Sequence, residues 1–317
     1  MANIMGLYPS PPKHKAPCIA DSSAFFVAPR PVLLYFAKGW QAKRQIEKSD
    51  KRWSVTGNLH GTAPNTTGTG DFFAHSGALC RYGMFSRRGG VSGAPYTSLN
   101  VGVYVGDQPE AVAANRQMVR EAMHIPALLS ARQVHGQGVY CLTEPLSEDL
   151  EVDGFDALVT DITGVGLMIQ QADCQAVLLF DPRLEVIAAI HCGWRGSVLQ
   201  IIPQVVEVMT HKYGTLAAEL QAVISPSLGP CCAEFVNFRS ELPADFHEFM
   251  VRDNYFDFWK ITRAQLTAAG VAEPHIQTAG HCTCCSDDYF SYRRATRQGG
   301  AQTGRNCSVI ALANTCS

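Results

Sequence analysis

Val186-Ile187-Ala188-Ala189-Ile190 runs directly into His191-Cys192-Gly193-Trp194-Arg195-Gly196, and this junction decides the architecture. Five aliphatic residues without a polar break suit a short strand buried on both faces. The glycines at 193 and 196 turn the chain. Apolar residues at Val198, Ile201, Ile202, Val205, Val206 and Met209 then recur at helical spacing, so a helix is expected over 197–213. A strand that feeds a helix through glycines, with a histidine and a cysteine on the turn, belongs to an α/β protein that presents side chains from its strand ends.

Working outward, apolar runs at 79–85, 138–142, 157–159, 166–169, 176–180, 222–224 and 308–312 are each short enough for a buried strand. Helical periodicity is expected over 109–124, with Asp107 near the cap and Pro126 past the end, and over 262–269, closed by Gly270. Strands and helices interleave without a strict period, which indicates one mixed α/β catalytic domain over 76–317. Residues 1–75 are rich in Pro, Gly, Ser, Thr and Lys and are expected to form a poorly structured extension. Removing residues 1–74 is accordingly expected to leave a folded, active protein.

The 317 residues are 46% hydrophobic, enough for a substantial core. Charged residues make up 17%, which excludes a charge-driven disordered chain. A net charge of -2 gives no sign of a nucleic acid or an anionic membrane as partner, so a small molecule is expected. The longest apolar candidate, 25–37, is broken by Pro29, Arg30 and Pro31 and falls short of the roughly 18 residues a membrane helix needs. The first fifteen residues lack the apolar core of a signal peptide. A cytoplasmic monomer or small homo-oligomer is the expectation.

Absent motifs narrow the chemistry. No Gly-Lys dipeptide occurs, so there is no phosphate-binding P-loop, and Gly164-Val165-Gly166 lacks the rest of a dinucleotide fingerprint. The Gly-x-Ser-x-Gly elbow, the His-Glu-x-x-His protease motif and the zinc deaminase pattern are also missing.

Three segments place a nucleophilic or metal-competent side chain among turn residues. They are Gln133-Val134-His135-Gly136, Gln171-Ala172-Asp173-Cys174 and the stretch from His191 to Gly196. One cysteine and two histidines from three loops suit a three-ligand site with an open fourth position, as catalytic zinc requires. The bland alternative is that each is core or surface filler, since free cysteine is among the most buried residue types. Twelve cysteines in a reducing compartment should be thiols or ligands. Cys231, Cys232, Cys282, Cys284 and Cys285 cluster, and 282 and 285 have Cys-x-x-Cys spacing. The adjacency of 231 and 232 is poor geometry for one tetrahedral ion.

Phe85-Ser86-Arg87-Arg88-Gly89-Gly90, Pro95-Tyr96-Thr97-Ser98-Leu99-Asn100, Ala172-Asp173-Cys174 and the His191 segment occur in an order also met elsewhere. So do Gly229-Pro230-Cys231-Cys232, Phe290-Ser291-Tyr292-Arg293 and Gly304-Arg305. From about residue 79 onward the chain resembles the YfiH-like family, also called the laccase-domain or polyphenol-oxidase-like family. The resemblance implies a four-layer α/β fold of mixed sheets flanked by helices, and a zinc ion held by His135, Cys174 and His191. It also implies phosphate-dependent cleavage of adenosine, inosine and methylthioadenosine, together with deamination of adenosine. Within that reading Asp173 is a candidate acid or base. Arg87, or its neighbour Arg88, is expected to bind phosphate, and Asn100 and Arg195 to bind substrate. The arginine segment is one residue shorter than the family's usual form, and Cys192 stands where alanine is common.

Three rival readings stay open. The two-histidine, one-cysteine set superficially suits copper and a polyphenol oxidase, although the ten histidines include no His-x-His pair. The same residues suit a Cys-His hydrolase with Cys174 as nucleophile, which would fit a peptidoglycan editing factor. A non-catalytic module built on a cysteine zinc knot is the third.

Overall fold

In the computed structural model, which describes residues 72–76 and 79–313, the apolar runs form strands that end within two residues of the expected limits. The first half of the chain supplies β1 (Phe72–Ser76), β2 (Cys80–Phe85), α1 (Pro109–Met123), β3 (Ala127–Arg132), β4 (Val139–Leu142), β5 (Leu150–Asp153) and β6 (Ala157–Thr160). Then follow β7 (Val165–Gln171), β8 (Gln175–Asp181), β9 (Val186–Cys192), α2 (Trp194–Val198), α3 (Ile201–Tyr213) and β10 (Gln221–Ile224). The last part contains α4 (Phe238–Glu241), β11 (Met250–Arg252), β12 (Tyr255–Phe256), α5 (Phe258–Ala268), β13 (Ile276–Thr278), α6 (Tyr292–Arg297) and β14 (Asn306–Leu312).

Two six-stranded sheets carry the architecture, in the orders β1-β2-β14-β7-β3-β5 and β13-β10-β8-β9-β6-β4. Both are mixed. In the first, β14 runs antiparallel to β2 and β7, while β3 is parallel to β7 and β5. In the second, β8 is antiparallel to β9 and β10, while β4 is parallel to β6. Side chains alternate along a strand with period two. Leu178, Ile187 and Ala189 therefore meet Leu129, Leu167 and Ile310 of the facing sheet, and Val177, Ala188 and Ile190 turn outward. The outward set packs on Ile201, Ile202, Val205 and Met209 of α3 and Leu266 of α5. On the opposite outer face, Val119 and Met123 of α1 cover Leu128, Met168 and Val309. Helix, sheet, sheet and helix make the four expected layers.

The helix expected over 197–213 is two helices. Gln200 adopts a left-handed conformation (φ 61°) between α2 and α3. The Ser197 carbonyl accepts from the Gln200 amide and from Gln265 Nε2 at 2.8 Å, which closes the first helix and holds it to α5. Asp107 does not cap α1. Its carboxylate accepts from Gln108 N and from Asn100 Nδ2. The third helix begins four residues earlier than expected because Asp257 caps it, accepting from Lys260 N at 3.1 Å. The first sheet takes in β1, which lies largely upstream of the expected domain start at 76, whereas the expectation for residues 1–71 falls outside the described residues. Among the described residues no helix is long and apolar enough to cross a membrane.

Candidate active site

His191 has the parity of Ile187 and Ala189 on β9, so its side chain turns toward the space between the sheets at their end. Cys174 precedes β8, where the chain crosses from the β7 sheet to the β8 sheet through Ala172 and Asp173. That crossing is tight enough to put Asp173 at φ 92°. His135 stands in the loop after β3, also with positive φ (59°), and Gln133 anchors the loop by exchanging hydrogen bonds with the backbone of Gln170 at 2.7 and 2.8 Å. Three segments thus bring the expected histidines and cysteine together, their ligand atoms all within 4.8 Å of one another. Cys174 Sγ lies 3.9 Å from His135 Nε2, and the two imidazoles meet edge to face. Gly193 forms part of the floor, where a Cβ would stand 2.9 Å from Cys174 Sγ.

Asp156 organises this group. It is fully buried and accepts amide hydrogens from Val134, His135 and Gly136 at 3.2, 2.9 and 2.7 Å, and its Oδ1 lies 2.8 Å from His191 Nδ1. A carboxylate there makes Nδ1 the donor and leaves Nε2 as the ligand atom. Burial works against the Asp156 charge, but the His191 hydrogen bond and charge and the loop amides outweigh it and hold its pKa below the usual range. Burial also works against the Cys174 thiolate, yet the His191 charge and hydrogen bonds from both histidines pull the thiol down to about 6. For His191 burial opposes the imidazolium, while the Cys174 thiolate and Asp156 together push its pKa up to about 9.

Two imidazoles and a low-pKa thiolate are a donor set for a borderline-soft divalent ion. Bonds of about 2.0–2.3 Å would place tetrahedral ligand atoms about 3.3–3.8 Å apart, so the spacing found here fits such an ion after a small closure. The group opens on a cavity of about 770 Å³. Leu228, Ala233, Phe235 and Phe258 contribute apolar lining to it, and Arg132, Arg293 and Arg305 cationic lining.

The other expected residues divide. Asp173 lines the cavity, but both its carboxylate oxygens are engaged, Oδ1 by the Thr283 hydroxyl at 2.7 Å and Oδ2 by the Arg293 amide at 2.6 Å. Asn100 is buried beneath it. Its Oδ1 accepts from Arg305 N and Gly102 N, two residues that do line the cavity. Arg87, Arg88 and Arg195 are not among the lining residues. Arg87 donates from Nε to the Thr97 carbonyl and lies over the Phe290 ring, Arg88 pairs with Asp288, and Arg195 stacks on Trp194. The residues that sequence reasoning left unassigned are Asp156, Arg293 and Arg305. A carboxylate at the start of the apolar run 157–159 is a signal for Asp156, because a buried acid must find donors. Burial disfavours the Arg305 cation, with the charges of Cys174 and Asp173 acting in its favour.

Facing mixed sheets with helices outside, and a metal-competent histidine and cysteine centre at the sheet ends, define the class: an α/β protein whose candidate active site lies where two sheets meet. Residues 81–313 match the family described as multi-copper polyphenol oxidoreductase laccase, and the chain belongs to that family. It is 36% identical over 249 residues to purine nucleoside phosphorylase ORF3 of Streptomyces griseus, covering 76% of this chain and 95% of that one. It is 30% identical over 230 residues to purine nucleoside phosphorylase YlmD of Geobacillus stearothermophilus, covering 67% and 84%. Among solved structures, YlmD from that organism superposes with a TM-score of 0.67 at 29% identity, over 75% of this chain and 93% of that one. The Bacillus licheniformis hypothetical protein YfiH gives 0.66 at 27%, over 74% and 93%. The YfiH-like resemblance and its α/β fold therefore stand.

Proposed function

We propose that the protein is a zinc-dependent purine nucleoside phosphorylase that cleaves adenosine, inosine and methylthioadenosine with phosphate and also deaminates adenosine. The observation that carries this reading is the cavity, whose lining combines apolar and aromatic side chains with arginines around the His135, Cys174 and His191 group. A purine base suits the aromatic lining and an anion the arginines. The names of the relatives from Streptomyces and Geobacillus support the phosphorylase part of this reading.

Zinc bound by His135, Cys174 and His191 would supply a Lewis acid beside the substrate. Arg305 supplies a guanidinium for phosphate, and Arg293, its Nη atoms held by the Cys232 and Glu234 carbonyls, adds positive charge; the phosphate oxygen bonds to C1′ of the sugar as the C1′–N9 bond breaks and the purine leaves with the electron pair. Phe235 and Phe258 exclude water from the base. Asp173 acts as a positioning residue, holding the Arg293 backbone and Thr283 at the cavity wall. Asn100 does the same for Arg305.

The test is purified protein incubated with adenosine, with and without phosphate, followed by chromatography. Adenine plus ribose 1-phosphate, formed only with phosphate, is the expected product of phosphorolysis, and inosine that of deamination. Formation of neither overturns the proposal. One observation favours a second reading: the low thiol pKa of Cys174 beside His135 also suits a cysteine nucleophile. A covalent Cys174 adduct formed during turnover of metal-free protein would decide for that hydrolase.

A further inference from the structure

Some distance along the chain from these ligands, four more thiols converge. Sγ atoms of Cys231, Cys232, Cys282 and Cys285 all lie within 4.8 Å of one another, and Cys285 Sγ stands 3.5 Å from that of Cys231 and 3.4 Å from that of Cys232. Tetrahedral zinc with Zn–S bonds of about 2.3 Å spaces its sulfurs about 3.8 Å apart. The four thiols already stand near that spacing.

The adjacency of Cys231 and Cys232, which counts against a shared ion when only spacing is considered, is resolved by the local backbone. The Gly229 carbonyl accepts both Cys232 N at 2.9 Å and Ala233 N at 3.0 Å, curling the segment so that both thiols reach Cys285. Gly229 also donates its amide to Cys282 Sγ at 3.3 Å, an interaction that favours a thiolate. A Cβ at this glycine would lie 2.9 Å from Trp259 and 3.0 Å from Cys282, so the close approach needs glycine. Four thiolates around a divalent ion carry net negative charge, and cations surround the cluster. Arg252 bonds the Cys231 carbonyl, Arg293 the Cys232 carbonyl and Arg294 the Cys284 carbonyl, while Arg297 Nη1 is 4.0 Å from Cys284 Sγ.

We propose that Cys231, Cys232, Cys282 and Cys285 form a second, structural site for a thiophilic divalent cation, zinc by its donor set, which pins two distant loops together as a wall of the cavity. One loop carries Ala233 and Phe235 to the apolar lining. The other carries Thr283, whose hydroxyl holds Asp173 next to Cys174, and leads to Arg293. A closed four-sulfur shell leaves no open position, which assigns the site to structure and not to chemistry. The proposal is independent of the reaction at the His135 centre.

The test reads metal, not activity. Protein produced with zinc and purified under reducing conditions should contain two equivalents per chain by elemental analysis. Cys285→Ser should contain one, and Cys174→Ala one. Cobalt loaded into the Cys174→Ala chain should show the strong sulfur-to-metal charge-transfer and tetrahedral d–d bands of a four-thiolate site, a measurement that leaves the cluster intact should Cys285→Ser fail to fold. Equal zinc content in the wild-type chain and Cys285→Ser, absence of the thiolate-to-metal bands from the cobalt-loaded Cys174→Ala chain, or a disulfide among these cysteines in place of the metal would each overturn it.

Discussion

Asp156 and His191 are joined twice: the Asp156 carboxylate lies 2.8 Å from His191 Nδ1, and the Asp156 carbonyl accepts the His191 amide at 2.7 Å. Because the same carboxylate gathers the amides of Val134, His135 and Gly136, one side chain fixes the ring of one metal-competent histidine and the backbone of the other. Asp156→Asn keeps the volume but turns an amide N–H toward donors. Zinc affinity should fall about 10–100-fold, as is usual when a partner behind a metal ligand is changed. A chelator competition measures this, and unchanged affinity would show that the three ligands hold their geometry without Asp156.

The paired shifts of Cys174 and His191 set a direction for pH. Between about 6 and about 9 the metal-free site holds a thiolate beside an imidazolium. Metal uptake must expel the His191 proton, so apparent affinity should rise about tenfold per pH unit from about 7 to about 9 and level off above that. Below about 6 Cys174 is protonated as well, and the dependence should steepen. Zinc competition titrations across pH 5.5–9.5 test both the slope and the break, with roughly one proton released per ion at pH 7.5. A flat profile over that range would mean that the imidazolium–thiolate pair does not form.

How much of this was legible in sequence follows from how local each feature is. The buried run 186–190 is read directly, since both of its faces are covered. The strand Ala127–Arg132 is hidden because Ala127, Leu128, Leu129 and Ala131 suit a helix as well as a strand, and only pairing with β7 and β5 decides. In Leu150–Asp153 the polar positions are as informative as the apolar ones: Glu151 faces Arg116 and Ser130, a partnership the chain order does not announce. His135, Cys174 and His191 are visible as unusual residues at turns. Asp156 shows only as a carboxylate opening an apolar run and Arg305 not at all, because the role of one depends on a loop 20 residues upstream and that of the other on Asn100, 205 positions away.

Cys174→Ala separates metal binding from folding. The change removes one of the three proposed ligands and a negative charge, while a small truncation at this half-buried position costs on the order of 1 kcal/mol of packing or less. The variant should fold, with a thermal midpoint lower by a few degrees at most, and should lose the zinc held with His135 and His191 along with phosphate-dependent cleavage of adenosine. Elemental analysis and a cleavage assay on the same preparation measure the two effects together. Full activity in the variant would remove this group from the catalytic centre. Lost activity with its zinc retained would favour the nucleophile.

Arg305 and Arg87 offer opposite outcomes for phosphate. Arg305 lines the cavity, anchored through its amide to Asn100, and feels the charges of Cys174 and Asp173. Arg87 is directed to the Thr97 carbonyl and the Phe290 ring. A charge-assisted contact to a phosphate oxygen is worth about 1.5–3 kcal/mol, so Arg305→Ala should lower kcat/KM for phosphate by about 10–150-fold. Arg305→Lys should recover part of this, since the cation remains while the two-pronged geometry is lost. Arg87→Ala should lower stability more than it changes the phosphate dependence, because it removes a hydrogen bond and a ring contact outside the cavity. Steady-state rates at varied phosphate and fixed inosine, alongside thermal melts of all three variants, make the comparison. A loss of phosphate dependence in Arg87→Ala with none in Arg305→Ala would return the anion site to the 87–90 segment.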